Sequence, residues 1–344
     1  MLLSEFDYRL PPELIAQEAI EPRDASRLMV IHRDSGLIEH RIFRELPEIL
    51  DTETFLVRNN TKVFRARLFG KFSPKEDNRS EIFLLKKTGQ NLWQCMVSPG
   101  RKFFPGKVLQ LIATIPTKSN VTATVVTILP DGTRTLRFNE EIEPHLETYG
   151  HVPLPPYIHQ EAPLERYQTV YAKEEGSVAA PTAGLHFTPQ VFQALEKKGI
   201  NSAEVTLHVG RGTFEPVKVS RVEDHVMHHE IYHMDETAAK AINAARKAGK
   251  KIMAVGTTSV RTLETCAEDA GLVKAQAGHT NLFITPGYKF KCVDLLLTNF
   301  HLPKSTLLML VSALTGKDLM FRAYDQAIKE KYRFFSFGDA MLIL

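Results

Sequence analysis

Three stretches of this 344-residue chain combine residue types able to do acid–base or anion-binding chemistry. His208-Val209-Gly210-Arg211-Gly212-Thr213 leads a strand-like segment into a loop with two glycines. Glycine lets a ligand approach the backbone closely, and Arg211 offers a rigid fork of donors suited to a carboxylate or phosphate. A structural turn with Arg211 in a salt bridge would read the same way. The stretch does not match GxxxxGK[ST], which disfavours a phosphate-loop nucleotidase. His225-Val226-Met227-His228-His229-Glu230 gathers imidazoles and a carboxylate. In an extended segment His228 and Glu230 share a face, where they could move protons or bind substrate. The spacing is not HExxH and no Cys-x-x-Cys element accompanies it, so no metal ligand is assigned. A structural surface cluster stays open as the plain alternative. Val255-Gly256-Thr257-Thr258-Ser259-Val260-Arg261 reads as strand, glycine turn and helix start. Free backbone donors, Thr258 and Arg261 could receive a carboxylate or a ribose there. The alternative is a well-capped helix with Arg261 paired to an acid.

Further polar groups lie beside apolar runs. Asn60 follows a hydrophobic strand, and Arg23 and Arg27 lie upstream of it. Together they could bind a polar nucleoside and a nucleic-acid backbone, while each alone is ordinary surface chemistry. The small residues of SVAAPTAGLHF (177–187) leave room for a ligand, with His186 as an acid or base, or as a histidine bonded at a loop edge. In LLLTNFHLP (295–303), Asn299 and His301 come directly after an apolar strand, a usual place for binding groups, though His301 reads equally as a histidine that starts a helix or supports its neighbours.

The elements that position these residues alternate between strand and helix. A short helix is expected near 12–18, a hairpin over 27–42 turning at Asp34-Ser35-Gly36, and a strand at 55–57. From about 63 to 138 come six short β-rich runs without a long helix, which suggests a barrel or sandwich. After a proline-rich crossing at 149–163, Thr188 and Asp235 can cap helices ending before Gly199 and Gly249. A strand at 251–255, a helix from Thr257 or Thr258 to about 269, two C-terminal helices and a last strand at 340–344 follow. The fold class expected is α/β: a large mixed α/β domain, 1–62 with 150–344, interrupted by a small all-β barrel-like domain, 63–149.

Composition narrows the class of protein. With 43 Lys and Arg against 40 Asp and Glu, a strongly basic tail holding nucleic acid by charge alone is excluded, but a local basic patch is not. An apolar fraction of 43% suits a globular core. Cys95, Cys266 and Cys292 are too sparse for a disulfide framework, and no secretory leader or membrane-length apolar run is read, so a cytoplasmic protein is expected.

The segments LVRNNTKVFRARLFG, GSVAAPTAGLHFT, HVGRGTFEPV, HVMHHEIY, IMAVGTTSVRTLE and VDLLLTNFHLPKSTLLMLVSAL, with LIAQ, RYQTVYA and YRFFSFGDAMLI, run in one order along nearly the whole chain. Together they resemble the S-adenosylmethionine:tRNA ribosyltransferase-isomerase family of queuosine biosynthesis. Ala19 stands where that family often has proline, and Asn60 where many members have aspartate. The resemblance implies transfer and isomerisation of the ribosyl part of S-adenosylmethionine onto 7-aminomethyl-7-deazaguanine at the tRNA wobble position. Epoxyqueuosine-tRNA, adenine and methionine are the products. S-adenosylmethionine would be a consumed cosubstrate, with no tightly bound cofactor. The partner would be a tRNA with a GUN anticodon, with no membrane involved, and a monomer is expected. In that reaction the sulfonium acidifies the adjacent C5′ proton, so the expectation is catalysis by His186, His228, His301 and Glu230. Arg211 and Arg261 would orient the methionine carboxylate or an anionic intermediate. Asn60, Thr258 and Asn299 would touch ribose or base, and Arg23 and Arg27, with Arg65 and Arg67, would meet tRNA phosphates.

Overall fold

Residues along the central strands alternate between two apolar layers, which is the period of two expected where helices cover both faces of a sheet. Met29, Ile252, Ala254, Leu296 and Met341 join one core, while Leu28, Met253, Val255, Leu297 and Leu342 join the other. The computed structural model describes residues 1–160, 162–210 and 217–344. They form two compact units, 1–62 with 155–344, and 63–154.

In chain order the strands are β1 (Arg27–Ile31), β2 (Ile38–Ile42), β3 (Thr54–Asn59), β4 (Thr61–Val63), β5 (Arg67–Lys71), β6 (Ser80–Gly89), β7 (Leu92–Ser98), β8 (Val108–Leu111), β9 (Thr122–Ile128), β10 (Arg134–Phe138), β11 (Gly150–His151), β12 (Glu174–Ser177), β13 (Ser202–His208), β14 (Glu230–Met234), β15 (Lys251–Val255), β16 (Gln276–Thr280), β17 (Leu295–Asn299) and β18 (Ala340–Ile343). The helices are α1 (Leu46–Ile49), α2 (Leu146–Tyr149), α3 (Pro189–Lys197), α4 (Glu236–Lys247), α5 (Thr257–Cys266), α6 (Thr306–Thr315) and α7 (Lys317–Lys329).

The larger unit is built on a mixed sheet in the order β16-β14-β13-β3-β15-β17-β18-β1-β2. Its middle strands β13, β3, β15 and β17 are mutually parallel, and antiparallel strands flank them on both sides. Helices α4 and α5 pack on one face, while α3 contributes to the core on the other. Sequence capping sets two of these helices: Thr188 accepts from the Val191 amide at 3.3 Å, and Asp235 from the Ala238 amide at 2.7 Å.

The smaller unit is a closed antiparallel barrel of six strands. Its order is β5-β6-β7-β10-β9-β8, and β8 pairs back onto β5. Strand β11 adds to β5 through Gly150 and His151, so the chain leaves this unit after Leu154, later than the return at 150 expected from sequence.

Two other local expectations change. The segment 12–18 holds only a single 3-10 turn, Pro12–Leu14, because the Leu14 carbonyl and the Ala16 amide bond instead to Phe334. Helix α5 stops at Cys266 and not near 269, since Ala267 turns extended and bridges to Val273.

Candidate active site

A cavity of about 390 Å³ lies where the parallel strands end. In open α/β sheets the carboxyl ends of the strands are where ligands bind, because loops and helix starts converge there. Val209 follows β13, Gly256-Thr257-Thr258 follows β15, and Thr298 to His301 close and follow β17; all line this cavity. Gly256 turns the chain from β15 into α5 at φ 85° and ψ 155°, a conformation that only glycine adopts readily. The small segment Ala179–Ala183 forms another wall. Its neighbour Gly184 admits no side chain, because a Cβ there would lie 2.1 Å from the Tyr171 hydroxyl.

Three polar atoms on lining residues are buried and have no hydrogen-bond partner among the described residues: Thr258 Oγ1, the Arg261 Nη2 and Asn299 Oδ1. Buried polar groups are ordinarily satisfied, so a donor of positive charge, a hydroxyl and an amide oxygen left unpaired on residues of one cavity wall suit a polar ligand. Each is held by its other atoms. Arg261 donates through Nε to the Leu282 carbonyl at 3.2 Å and through Nη1 to Glu230 Oε2. The other Glu230 oxygen accepts from the Gly210 amide at 3.2 Å. Burial lowers the Arg261 pKa to about 10, which leaves the guanidinium charged at neutral pH. Glu230 therefore holds Arg261 in place as its counter-ion.

Asn299 is fixed from behind. Its amide nitrogen meets His186 Nε2 at 3.2 Å and donates to the Phe335 carbonyl at 3.2 Å. An amide NH₂ can only donate, so Nε2 of His186 accepts and its Nδ1 carries the proton toward Ser26 Oγ, 2.8 Å away. Burial, then the charges of Arg333 and Arg23, push the His186 pKa down to about 3. His186 does not line the cavity. Phe335 contributes to the wall with φ at 71°, a costly conformation outside glycine that turns its carbonyl onto Asn299.

His228, Glu230 and His301 all line the cavity. His301 Nε2 lies 2.8 Å from Thr298 Oγ1, and burial pushes its pKa down to about 3. Its backbone is clamped by two tyrosines: the amide donates to Tyr324 Oη at 2.9 Å, and the carbonyl accepts from Tyr8 Oη. Among the described residues no group of three or more His, Cys, Asp or Glu converges as a metal site.

The family model for queuosine biosynthesis protein matches residues 3–343. The chain belongs to that family. Over its full length it is 54% identical to the whole S-adenosylmethionine:tRNA ribosyltransferase-isomerase of Thermotoga maritima and 54% identical to that of Symbiobacterium thermophilum. It is also similar to a crystal structure of S-adenosylmethionine tRNA ribosyltransferase from Thermotoga maritima, with a TM-score of 0.57 and 42% identity. That comparison covers 99% of this chain and 100% of the other.

In this member of the queuosine biosynthesis family, the structure brings the expected residues His228, Glu230, Thr258, Arg261, Asn299 and His301 to one cavity. Other expected residues lie elsewhere. Asn60 is buried in a network of its own, accepting from Thr206 Oγ1 at 2.7 Å and donating to Glu204 at 3.3 Å. Arg27 stacks 3.7 Å over the Tyr332 ring and donates to the Glu330 carbonyl at 2.6 Å. Arg23 lines a separate shallow pocket with His186. In the barrel, Arg67 pairs with Glu81 at 2.9 Å. Arg211 lies outside the described residues. Tyr157, Tyr167 and Phe335 were missed as cavity residues. Their aromatic type is common in cores, and only their meeting point distinguishes them.

Proposed function

We propose that the strand-end cavity holds S-adenosylmethionine while its ribosyl part is transferred and isomerised onto 7-aminomethyl-7-deazaguanine in tRNA. As a family member the chain is an S-adenosylmethionine:tRNA ribosyltransferase-isomerase, releasing adenine and methionine and leaving epoxyqueuosine in the tRNA. S-adenosylmethionine is consumed as the ribosyl donor, and no resident cofactor is assigned. The tRNA has a GUN anticodon, the enzyme works as a monomer, and its place is the cytoplasm. Among the described residues no helix is long and apolar enough to cross a membrane.

The observation that carries the placement is the trio of unsatisfied atoms on Thr258, Arg261 and Asn299. The free Arg261 Nη2 takes the methionine carboxylate, a charge-assisted contact that Glu230 pre-orients. Thr258 and Asn299 bond the ribose hydroxyls or adenine, and Tyr157, Tyr167 and Phe335 offer the apolar wall an adenine needs. His228 is the lining imidazole assigned to proton transfer at C5′. His301, whose neutral form burial favours, accepts or relays a second proton. His186 positions Asn299 and takes no proton from substrate.

A mass-resolved reaction with S-adenosylmethionine and tRNA carrying the 7-aminomethyl-7-deazaguanine base tests this reading. Adenine, methionine and epoxyqueuosine are expected in equal amounts. Methylated RNA with S-adenosylhomocysteine would mark a methyltransferase, and RNA binding without either product would mark a binding protein.

A further inference from the structure

A second, shallow pocket lies beside the cavity, with Ser336 in both walls. Two guanidinium groups, Arg23 and Arg166, line it together with His186, Ser336 and the backbone of Gly338. We infer that this pocket is a phosphodiester subsite: Arg166 and Arg23 grip one backbone phosphate of the tRNA next to the nucleotide delivered to the cavity. The inference rests on the tRNA-directed reaction proposed above.

Both guanidiniums are anchored from behind. Arg23 donates to the Gln168 carbonyl at 2.6 Å and to the Glu165 carbonyl, and Arg166 donates to the Ile20 carbonyl at 2.8 Å. Carbonyls orient a guanidinium without neutralising it. Among the described residues the carboxylate paired with Arg166 is Glu21, 2.7 Å away and largely exposed, so solvent weakens its hold. A third cation, Arg333, is close enough to bias His186 electrostatically and donates to the Glu18 carbonyl. Burial first, and then the charge of Arg166, lower the Arg23 pKa while Glu21 opposes them, so an anion placed between the two guanidiniums would relieve their repulsion. Fixed, forked donors match the oxygens of a phosphate. A shallow site suits a phosphate on a passing chain better than a free ligand, which would need enclosure. The shared Ser336, whose Oγ lies 2.7 Å from the Tyr157 hydroxyl of the cavity wall, sets the two sites side by side.

The test titrates tRNA onto wild-type, Arg166→Gln and Glu21→Gln proteins across a salt series, with S-adenosylmethionine affinity measured on each. Arg166→Gln should weaken tRNA binding about tenfold at low salt, and the slope of log affinity against log salt should fall by about 0.7, one single-strand phosphate. S-adenosylmethionine affinity should stay within about twofold, as a one-phosphate subsite outside the cavity requires. Glu21→Gln frees Arg166 and should leave tRNA binding equal or tighter. Wild-type affinity and slope in Arg166→Gln would overturn the inference. So would equal weakening by Glu21→Gln, which would make the pair a structural tie. A change in inorganic phosphate binding without a change for tRNA would also overturn it, marking a free-anion site. Lack of adenine release by the wild-type enzyme would strike at the reaction itself, a readout separate from these.

Discussion

Glu230 and Arg261 form the ion pair on which the proposed carboxylate contact depends, and both are nearly out of reach of solvent. Removing one charge from a buried pair strands the other. Glu230→Gln should therefore lower stability by about 3–5 kcal/mol, and Glu230→Gln with Arg261→Gln should recover part of it. Urea unfolding of the single and double variants reads this cycle, and additive losses would show the two do not depend on each other. The buried histidines make a second prediction at this scale. His186 and His301 have folded pKa values near 3, below their ordinary 6.5. Between those values the unfolded chain binds protons that the folded chain refuses. Stability is then fully present above about pH 6.5 and falls on acidification, by up to about 1.4 kcal/mol per pH unit for each histidine. Melting temperatures measured from pH 7.5 to 5 should drop, and the drop should shrink in His186→Gln. An unchanged slope in that variant would contradict a neutral His186.

Elements set where these side chains meet. Glu264 on α5 accepts from the Tyr288 hydroxyl and from the Lys291, Cys292 and Val293 amides at 2.9–3.1 Å, tying the helix to the segment that enters β17. A stranded buried donor costs about 1–3 kcal/mol, so Glu264→Ala should lose at least about 3 kcal/mol. Hydrogen exchange at 291–293 should accelerate; unchanged protection there would show the segment is held by other contacts. Gly256→Ala has room for its methyl group, with Ala183 Cβ 3.6 Å away, but not the backbone angles. It should cost about 1–3 kcal/mol and weaken S-adenosylmethionine binding by displacing Thr258, which calorimetry would report. Much at this scale was legible. Thr188-Pro189, Asp235 and the Lys251–Val255 strand announce themselves by capping groups and apolar runs. Strand β16 does not: Gln276-Ala-Gly-His-Thr280 is a partly exposed edge segment with little apolar content, defined only by pairing with β14. The pairing of His186 with Asn299, 113 residues apart, is likewise invisible locally. His186 looked like a catalytic candidate and Asn299 like a separate substrate contact, whereas one holds the other.

Over the whole molecule, charge is distributed unevenly. The barrel unit carries thirteen Lys and Arg against eight Asp and Glu, so the remainder of this +3 chain is slightly acidic. Sequence patterning foresaw an inserted barrel because short β-runs without helices have few other solutions. It ended the insertion early because β11 is only two residues long and sits beside prolines. The same patterning located six of the cavity residues but not the cavity, since strands β13, β15 and β17 become neighbours only through crossovers around β3. Whether S-adenosylmethionine occupies that cavity is decided by titrating it onto folded Thr258→Val and Asn299→Ala proteins beside the wild type. Each variant removes one unsatisfied atom of the wall, and affinity should fall about tenfold or more, the equivalent of about 1.4 kcal/mol. Wild-type affinity in both variants would place the cosubstrate elsewhere.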